Sequence, residues 1–328
     1  MSCMNFKDFL AWRDRVTSPE VLLACETRLS SACASLVPQI EGTGDVPHRC
    51  DLARLWGRLR GLEDVDPGTL LLCHGVREGL SLLFNRFSRE ERSLGLPRDV
   101  YPLYLSMAAS AGIEFSLFDT FPDFDLAGIF SFLENFDTEI LLLPKPLVLQ
   151  GRDWSDQEVS LALQWLARSP SRRIMLDAIY CMGRSYGRGT HQLLRTGQVF
   201  LLDSLSKGWL HEGVLGVVLV PSSDQPDYFG DFSALPADIE RLRVAEALLR
   251  TQPAFPLHLG RALETKRAHA IDQLKARGVP LNPVDQGYFL PIQKSAEVLL
   301  DRHGVLALPV SVFGSKKPDW SVISALTS

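Results

Sequence analysis

The sequence predicts an α/β protein in which a mostly parallel sheet is covered by helices and followed by a smaller α+β C-terminal domain. Two observations carry this reading. From Leu70 onward, short and nearly continuous apolar runs alternate with amphipathic stretches; such runs belong to strands buried on both faces, as in a parallel sheet. After Pro221 the rhythm changes to long helical segments joined to strand-like runs. At 328 residues there is room for one large domain with a smaller one attached. The expected division is 1–45 as a helical arm belonging partly to the small domain, 46–232 as the large domain and 233–328 as the small one.

Taken in order, residues 5–37 predict two helices. The second is opened by Ser18 as N-cap with Pro19 at the first helical position, and Val21, Leu22, Cys25 and Leu29 follow at helical spacing. A stretch rich in Gly, Pro and Asp, Glu41–His48, separates this arm from the body, and the arm is expected to pack on the body or on a partner subunit. Strands are expected over Leu70–Cys73, Ile140–Leu143, Ile174–Leu176, Val199–Leu202 and Val214–Val220, with helices over Glu78–Phe87 and Gln157–Ala167. Asp238–Leu249 and Leu257–Arg277 read as helices, followed by Gln286–Ile292 and Ala296–Leu300 in helix and strand alternation.

Composition narrows the function. With 46% hydrophobic and 22% charged residues and a mean hydropathy near zero, the chain is an ordinary soluble globular sequence. A net charge of -5 argues against nucleic acid as a main partner, since phosphate backbones need a basic face; a small molecule is expected instead. No apolar run approaches the roughly 18 residues a membrane helix needs, and Lys7, Asp8, Arg13, Asp14 and Arg15 interrupt the first 17 residues, against a signal peptide or anchor. The six cysteines are scattered, with neither CxxC pairs nor Cys/His metal spacing, which suits reduced thiols in the cytoplasm.

Four stretches have the residue types for chemistry. His74-Gly75-Val76-Arg77-Glu78-Gly79 follows an apolar strand and opens a helix, so its free N–H groups and the helix dipole favour an anion, although such a glycine also serves simple turns. Tyr101-Pro102-Leu103-Tyr104 starts a helix with two aromatics, suited to a core or to stacking on something flat. Asp177 ends the run Ile174-Met175-Leu176, where a carboxylate either caps the next turn or needs a positive partner. Lys207 follows Ser204-Leu205-Ser206 at the end of a buried strand, where lost solvation lowers an amine's pKa and makes it a nucleophile.

In this order the stretches resemble the fold-type I, class I/II aminotransferases, which use pyridoxal 5'-phosphate (PLP). Ser204-Leu205-Ser206-Lys207 is similar to the family's Ser-x-Ser-Lys, Asp177-Ala178-Ile179-Tyr180 to its Asp-x-x-Tyr, and Tyr101-Pro102-Leu103-Tyr104 to its Tyr-Pro-x-Tyr. Gln286-Gly287-Tyr288-Phe289-Leu290 and the segment from Gly304 to Gly314 resemble small-domain signatures. The resemblance implies that Lys207 is the Schiff-base lysine and proton shuttle, that Asp177 pairs with the pyridinium nitrogen, and that Tyr180 holds the ring oxygen while Tyr101 stacks on the ring. It further implies phosphate contacts from Gly75, Val76 and Ser204, with Ser206 among the cofactor contacts, and a homodimer whose active sites lie at the interface.

Three departures leave the reaction open. Leu215 stands near the place of the family's phosphate-binding arginine, with Arg77 the nearest substitute. The asparagine that reaches the ring oxygen is missing from Pro144–Gly151, so Gln150 or Tyr180 must serve. Val322 replaces the C-terminal arginine that forks onto the substrate carboxylate, a loss no aliphatic side chain makes good; Arg152, Lys316 and Lys317 are candidates for a relocated clamp, and His211 and Glu212 for other substrate contacts. The expected activity is therefore that of a PLP enzyme of specialised metabolism, most simply aminotransferase-like, with a lyase, cyclase or racemase outcome, or non-catalytic PLP binding, as alternatives.

Overall fold

Successive residues of a strand face opposite sides of its sheet, and the apolar runs of this chain use both sides. The computed structural model describes residues 4–42, 44–62, 69–101, 103–181, 185–211, 215–221 and 238–326. A helix α1 (Phe6–Val16) and a two-residue strand β1 (Leu22–Leu23) precede a seven-stranded sheet. The sheet is built from β2 (Leu70–Cys73), β3 (Leu94–Pro97), β4 (Phe115–Phe118), β5 (Ile140–Pro144), β6 (Arg173–Asp177), β7 (Val199–Ser204) and β8 (Gly216–Leu219), in the order β2-β8-β7-β6-β5-β3-β4. Strands β3 to β7 run parallel to one another, and β8 runs antiparallel to both of its neighbours. The expected mostly parallel sheet is present, and the C-terminal ends of β2 to β7 open on one edge.

Its two faces carry separate cores. Leu141, Leu143, Ile174, Leu176, Val199 and Leu201 enter one cluster, while Ile140, Leu142, Met175, Phe200 and Leu202 enter the other. Helices α3 (Arg49–Leu59), α6 (Leu126–Glu134), α7 (Asp156–Ala167) and α8 (Gly187–Leu194) cover the first through Trp56, Phe130, Trp165 and Leu193. Helices α4 (Val76–Arg89) and α5 (Leu103–Ala111) cover the second through Leu83, Phe84, Phe87 and Ala108. Strands β3 and β4 were not anticipated from the sequence. Leu94-Gly95-Leu96-Pro97 has the glycine and proline of a turn, yet a Cβ at Gly95 would meet the Leu141 side chain at 2.5 Å, so glycine is what lets β3 lie in the sheet.

Beyond β8, helices Ile239–Thr251 and Phe255–Ala276 lead to β9 (Phe289–Ile292), β10 (Val305–Leu306), β11 (Leu308–Pro309) and β12 (Ser321–Ser324). Strands β9, β11 and β12 form an antiparallel sheet in the order β11-β12-β9. The arm departs from expectation. The first expected helix is α1, but no helix starts at Ser18–Pro19: Leu22–Leu23 pair instead with Val305–Leu306, and the helical residues that follow are the single turn α2 (Leu29–Ala32) and a 3-10 turn at Ala34–Leu36. Leu22 N–H donates to the Gly304 carbonyl at 2.8 Å and Ala24 N–H to the Leu306 carbonyl at 3.0 Å, so pairing with a distant strand overrides the local helical spacing. The arm packs on the chain's own C-terminal part, with Ser311 Oγ donating to the Met4 carbonyl at 2.8 Å.

A buried ion pair locks α3 to the end of β7. Arg60, just past α3, donates from Nε to Asp203 Oδ2 at 3.0 Å, and the Tyr186 hydroxyl donates to the same oxygen at 2.5 Å. The Arg60 and Asp203 side chains are 1% and 3% exposed, and Arg60 Nη2 also donates to the Cys181 carbonyl at 3.1 Å. Stripping one partner from such a pair strands a charge without water. Arg60→Met is expected to cost about 3–5 kcal/mol in chemical denaturation, and adding Asp203→Leu should recover part of that loss; a double variant less stable than Arg60→Met would contradict the pairing.

Candidate active site

The convergent strand ends bring the predicted residues together. Register places Gly216, the first residue of β8, opposite both Cys73 of β2 and Ser204 of β7. A Cβ on Gly216 would meet the Gly75 carbonyl carbon and the Val76 nitrogen at 2.5 Å. The turn into α4 therefore folds directly over β8, beside Ser204. Glycine is required at 216, whereas at Gly75 a Cβ would meet nothing within 4 Å, so the space before Gly75 is open.

That open space is part of a cavity of about 920 Å³. His74, Gly75, Val76, Arg77, Tyr101, Asp177, Tyr180, Ser204, Ser206 and Lys207 all line it. The residues that the resemblance assigns to the cofactor are thus in one wall or another of a single cavity. Ser204 Oγ and Ser206 Oγ lie 2.7 Å apart, with Lys207 one residue on in the short helix α9 (Leu205–Gly208). Asp203 Oδ1 accepts from the Ser204 N–H at 2.7 Å, which connects the buried ion pair to the wall carrying Lys207.

Asp177 ends β6 with its side chain buried. Its Oδ2 accepts from the Tyr104 hydroxyl and its Oδ1 from the Ile179 N–H, the latter at 3.1 Å. Burial pushes the Asp177 carboxyl up, against the lowering effect of these two donors. Burial also pushes the Tyr180 hydroxyl up, and Tyr288 opposes it by hydrogen bonding to Tyr180; the two rings meet edge to face at 6.1 Å. Tyr101 stands at the rim, 38% exposed, with its ring 5.2 Å from that of Tyr104.

The departures resolve unevenly. Leu215 is buried, and its carbonyl accepts from the Leu205 N–H at 3.1 Å. Gln150 lines the cavity but donates its amide to the Thr120 carbonyl at 2.5 Å. None of the proposed carboxylate clamps reaches the cavity: Arg152 forks onto Glu158 at 2.8 and 2.9 Å, while Lys316 and Lys317 are exposed. Val322 is buried in β12. His211 does not line the cavity, and Pro102, Glu212 and Val214 lie outside the described residues. Sequence reasoning also passed over three wall residues: the phenol of Tyr104 on Asp177, Tyr288, and Arg241 from the Ile239–Thr251 helix.

No protein-family model matches the chain. Among solved structures, YbdL of Escherichia coli, a methionine aminotransferase, superposes with a TM-score of 0.73 at 17% identity, over 98% of this chain and 93% of that one. The PLP-bound C-S lyase of Staphylococcus hominis gives 0.70 at 13% identity, over 99% and 90%. The chain has the fold of the fold-type I PLP enzymes. In sequence, the fold-type I chain is 24% identical over 159 residues to the probable aminotransferase TAT1 of Arabidopsis thaliana, covering 45% of the chain and 34% of that relative. The match thus spans about a third of the length of the curated relatives it reaches.

The buried carboxyl has a pH signature. A carboxyl raised in the folded state costs nothing below its unfolded value of about 3.9, and the cost grows as pH rises through the folded value. In the ligand-free protein Asp177→Asn is therefore expected to melt at a higher temperature than the parent at pH 7, with the difference disappearing near pH 3.5. A variant that melts lower at pH 7 contradicts the desolvated carboxylate.

Proposed function

We propose that the chain is a PLP-dependent enzyme, aminotransferase-like, acting on an amino acid or related amine in specialised metabolism. The observation that carries this reading is one cavity shared by Lys207, the buried carboxyl of Asp177 and the turn at Gly75 and Val76. The residues fit the cofactor. Open space before the α4 N-terminus suits a phosphate, and a desolvated acid whose pKa is raised suits a protonated pyridine nitrogen.

In this reading Lys207 holds the cofactor covalently through its amine, and the N–H groups of Gly75 and Val76, the hydroxyls of Ser204 and Ser206 and the side chain of Arg77 face the phosphate. Tyr101 covers a face of the ring. Asp177 keeps the ring nitrogen charged, with Tyr104 holding the carboxylate in place by its hydrogen bond. Tyr180 is left to donate to the ring oxygen, because Gln150 is committed to Thr120 and Tyr288 hydrogen bonds to Tyr180. Bound PLP supplies the electron sink that makes the substrate's α-proton acidic. The Lys207 amine, in the same cavity wall as Ser204 and Ser206, would take that proton from the substrate α-carbon as a general base and deliver it to the cofactor 4'-carbon as a general acid.

The apolar walls shape the substrate. Among the described residues, the cavity's arginines and lysines are Arg77, Lys207 and Arg241, whereas Phe121, Leu149, Phe289, Val312 and Phe313 contribute apolar surface. Since Lys207, Asp177 and Tyr180 serve elimination as well as transamination, a lyase outcome is the second reading, supported by the PLP-bound C-S lyase among the structural neighbours. We extend the proposal to a homodimer working in the cytoplasm, with free thiols at Cys25, Cys33, Cys50, Cys73 and Cys181; no described helix is long and apolar enough to cross a membrane.

Reconstitution with PLP is expected to give a visible absorption band that Lys207→Ala abolishes, together with a fall in turnover on the order of 10²–10⁴-fold from losing the proton shuttle. A wild-type protein without such a band would falsify the cofactor assignment. With an amine donor supplied, sustained turnover should require a keto acid such as 2-oxoglutarate; turnover without one selects the lyase reading.

A further inference from the structure

We infer that Arg241 supplies the guanidinium that binds the cofactor phosphate, in place of a cation from the segment after Lys207; this rests on the PLP reading above. That segment has no arginine or lysine to offer, and its His211 does not line the cavity. Leu215 is buried, and Trp209, Leu210, Glu212, Gly213 and Val214 carry no positive charge. The turn at Gly75 and Val76 nonetheless opens into the cavity between β2 and β7, where an entering dianion needs a fixed positive partner.

Arg241 is built for that place. It enters from a different part of the chain, the first turn of the Ile239–Thr251 helix, and reaches across to the turn itself. Its Nη1 donates to the carbonyl of His74, the residue before Gly75, at 2.8 Å. Its Nε contacts Asp238 Oδ2 at 2.8 Å, and Asp238 Oδ1 accepts from the Arg241 N–H at 3.2 Å. Two anchors thus hold a planar group with five N–H donors, so little rotamer freedom remains to be lost when a phosphate is bound. Arg241 lines the same cavity as Gly75, Val76, Ser204 and Ser206. Arg77, by contrast, is exposed on the first turn of α4. Two carboxylates share this neighbourhood. Glu78 accepts from the His74 N–H at 2.7 Å, and Asp238 is already paired with Arg241 itself.

The test compares PLP with pyridoxal, which has the same ring and aldehyde but no phosphate. Apo protein is titrated with each, following the visible band, for the wild type, Arg241→Gln, Arg241→Lys and Arg77→Gln. Arg241→Gln is expected to weaken PLP roughly 10- to 100-fold, the size of a lost charge-assisted contact, and to leave pyridoxal affinity unchanged. Unchanged pyridoxal binding also reports an intact fold, and Arg241→Lys should recover part of the PLP affinity. The inference is overturned if Arg241→Gln keeps the wild-type ratio of PLP to pyridoxal affinity, or if Arg77→Gln lowers that ratio more than Arg241→Gln does. If Arg241→Gln binds neither ligand, Arg241→Lys decides: a wild-type ratio there counts against a phosphate fork, and a reduced ratio supports it. Wild-type protein that binds pyridoxal and PLP equally well overturns the phosphate contact while leaving the PLP reading standing; wild-type protein that binds neither removes both.

Discussion

The buried pair between Arg60 and Asp203 is the constraint on which the site depends. Asp203 is the penultimate residue of β7, and one carboxylate oxygen is held by Arg60 and Tyr186 while the other accepts from the Ser204 N–H. The strand therefore ends at a fixed point, and the serines and Lys207 leave it in a fixed direction. Charges this deep are maintained only by full pairing. Arg60 meets that condition by also stacking over the Tyr186 ring at 4.5 Å and bonding the Cys181 carbonyl, so a single guanidinium joins α3, the loop after β6 and the end of β7.

Beside that anchor, the reversed strand β8 sets the width of the site. Parallel strands alone would separate β2 from β7 by a crossover; inserting β8 antiparallel between them puts Gly216 opposite Cys73 and Ser204 at once. Because Gly216 lacks a Cβ, the α4 turn settles onto its backbone. The turn at Gly75 and Val76 and the side chains of Ser204 and Ser206 then line one cavity. Asp177, two strands from β8 in the sheet order, faces the same cavity, and its desolvation is tolerated through hydrogen bonds from Tyr104 and Ile179.

The contrast between the two missing arginines is instructive. At Leu215 the proposed counterpart of the lost cation is Arg241, which a helix from later in the chain brings to the His74 carbonyl. At Val322 there is none among the described residues lining the cavity, and the nearest sequence candidates are paired elsewhere or exposed. The anion end of the cavity keeps a full set of donors, while its far wall is largely aromatic and aliphatic. In the proposed reading, this asymmetry separates phosphate binding, for which donors are at hand, from carboxylate recognition, for which the far wall has none among the described residues.

Much of this was legible in the linear chain. Short apolar runs between helices marked five of the seven large-sheet strands, since a strand covered on both sides has nowhere to put a polar residue. Gly75, Asp177 and Lys207 were legible because each follows an apolar run at the sheet edge where ligands gather. Strand β3 was hidden by Gly95 and Pro97, and the fit of Gly95 depends on Leu141 of the neighbouring strand. The residues after Ser18 showed a helical spacing that pairing with Val305–Leu306 overrode. Local pattern determined which segments are strands or helices and which residues end them, because burial and chain geometry act over a few neighbours. Only tertiary structure decided that Tyr104 meets Asp177, that Gly216 carries the turn, and that Arg241 reaches His74, because these contacts join residues 73, 141 and 167 positions apart.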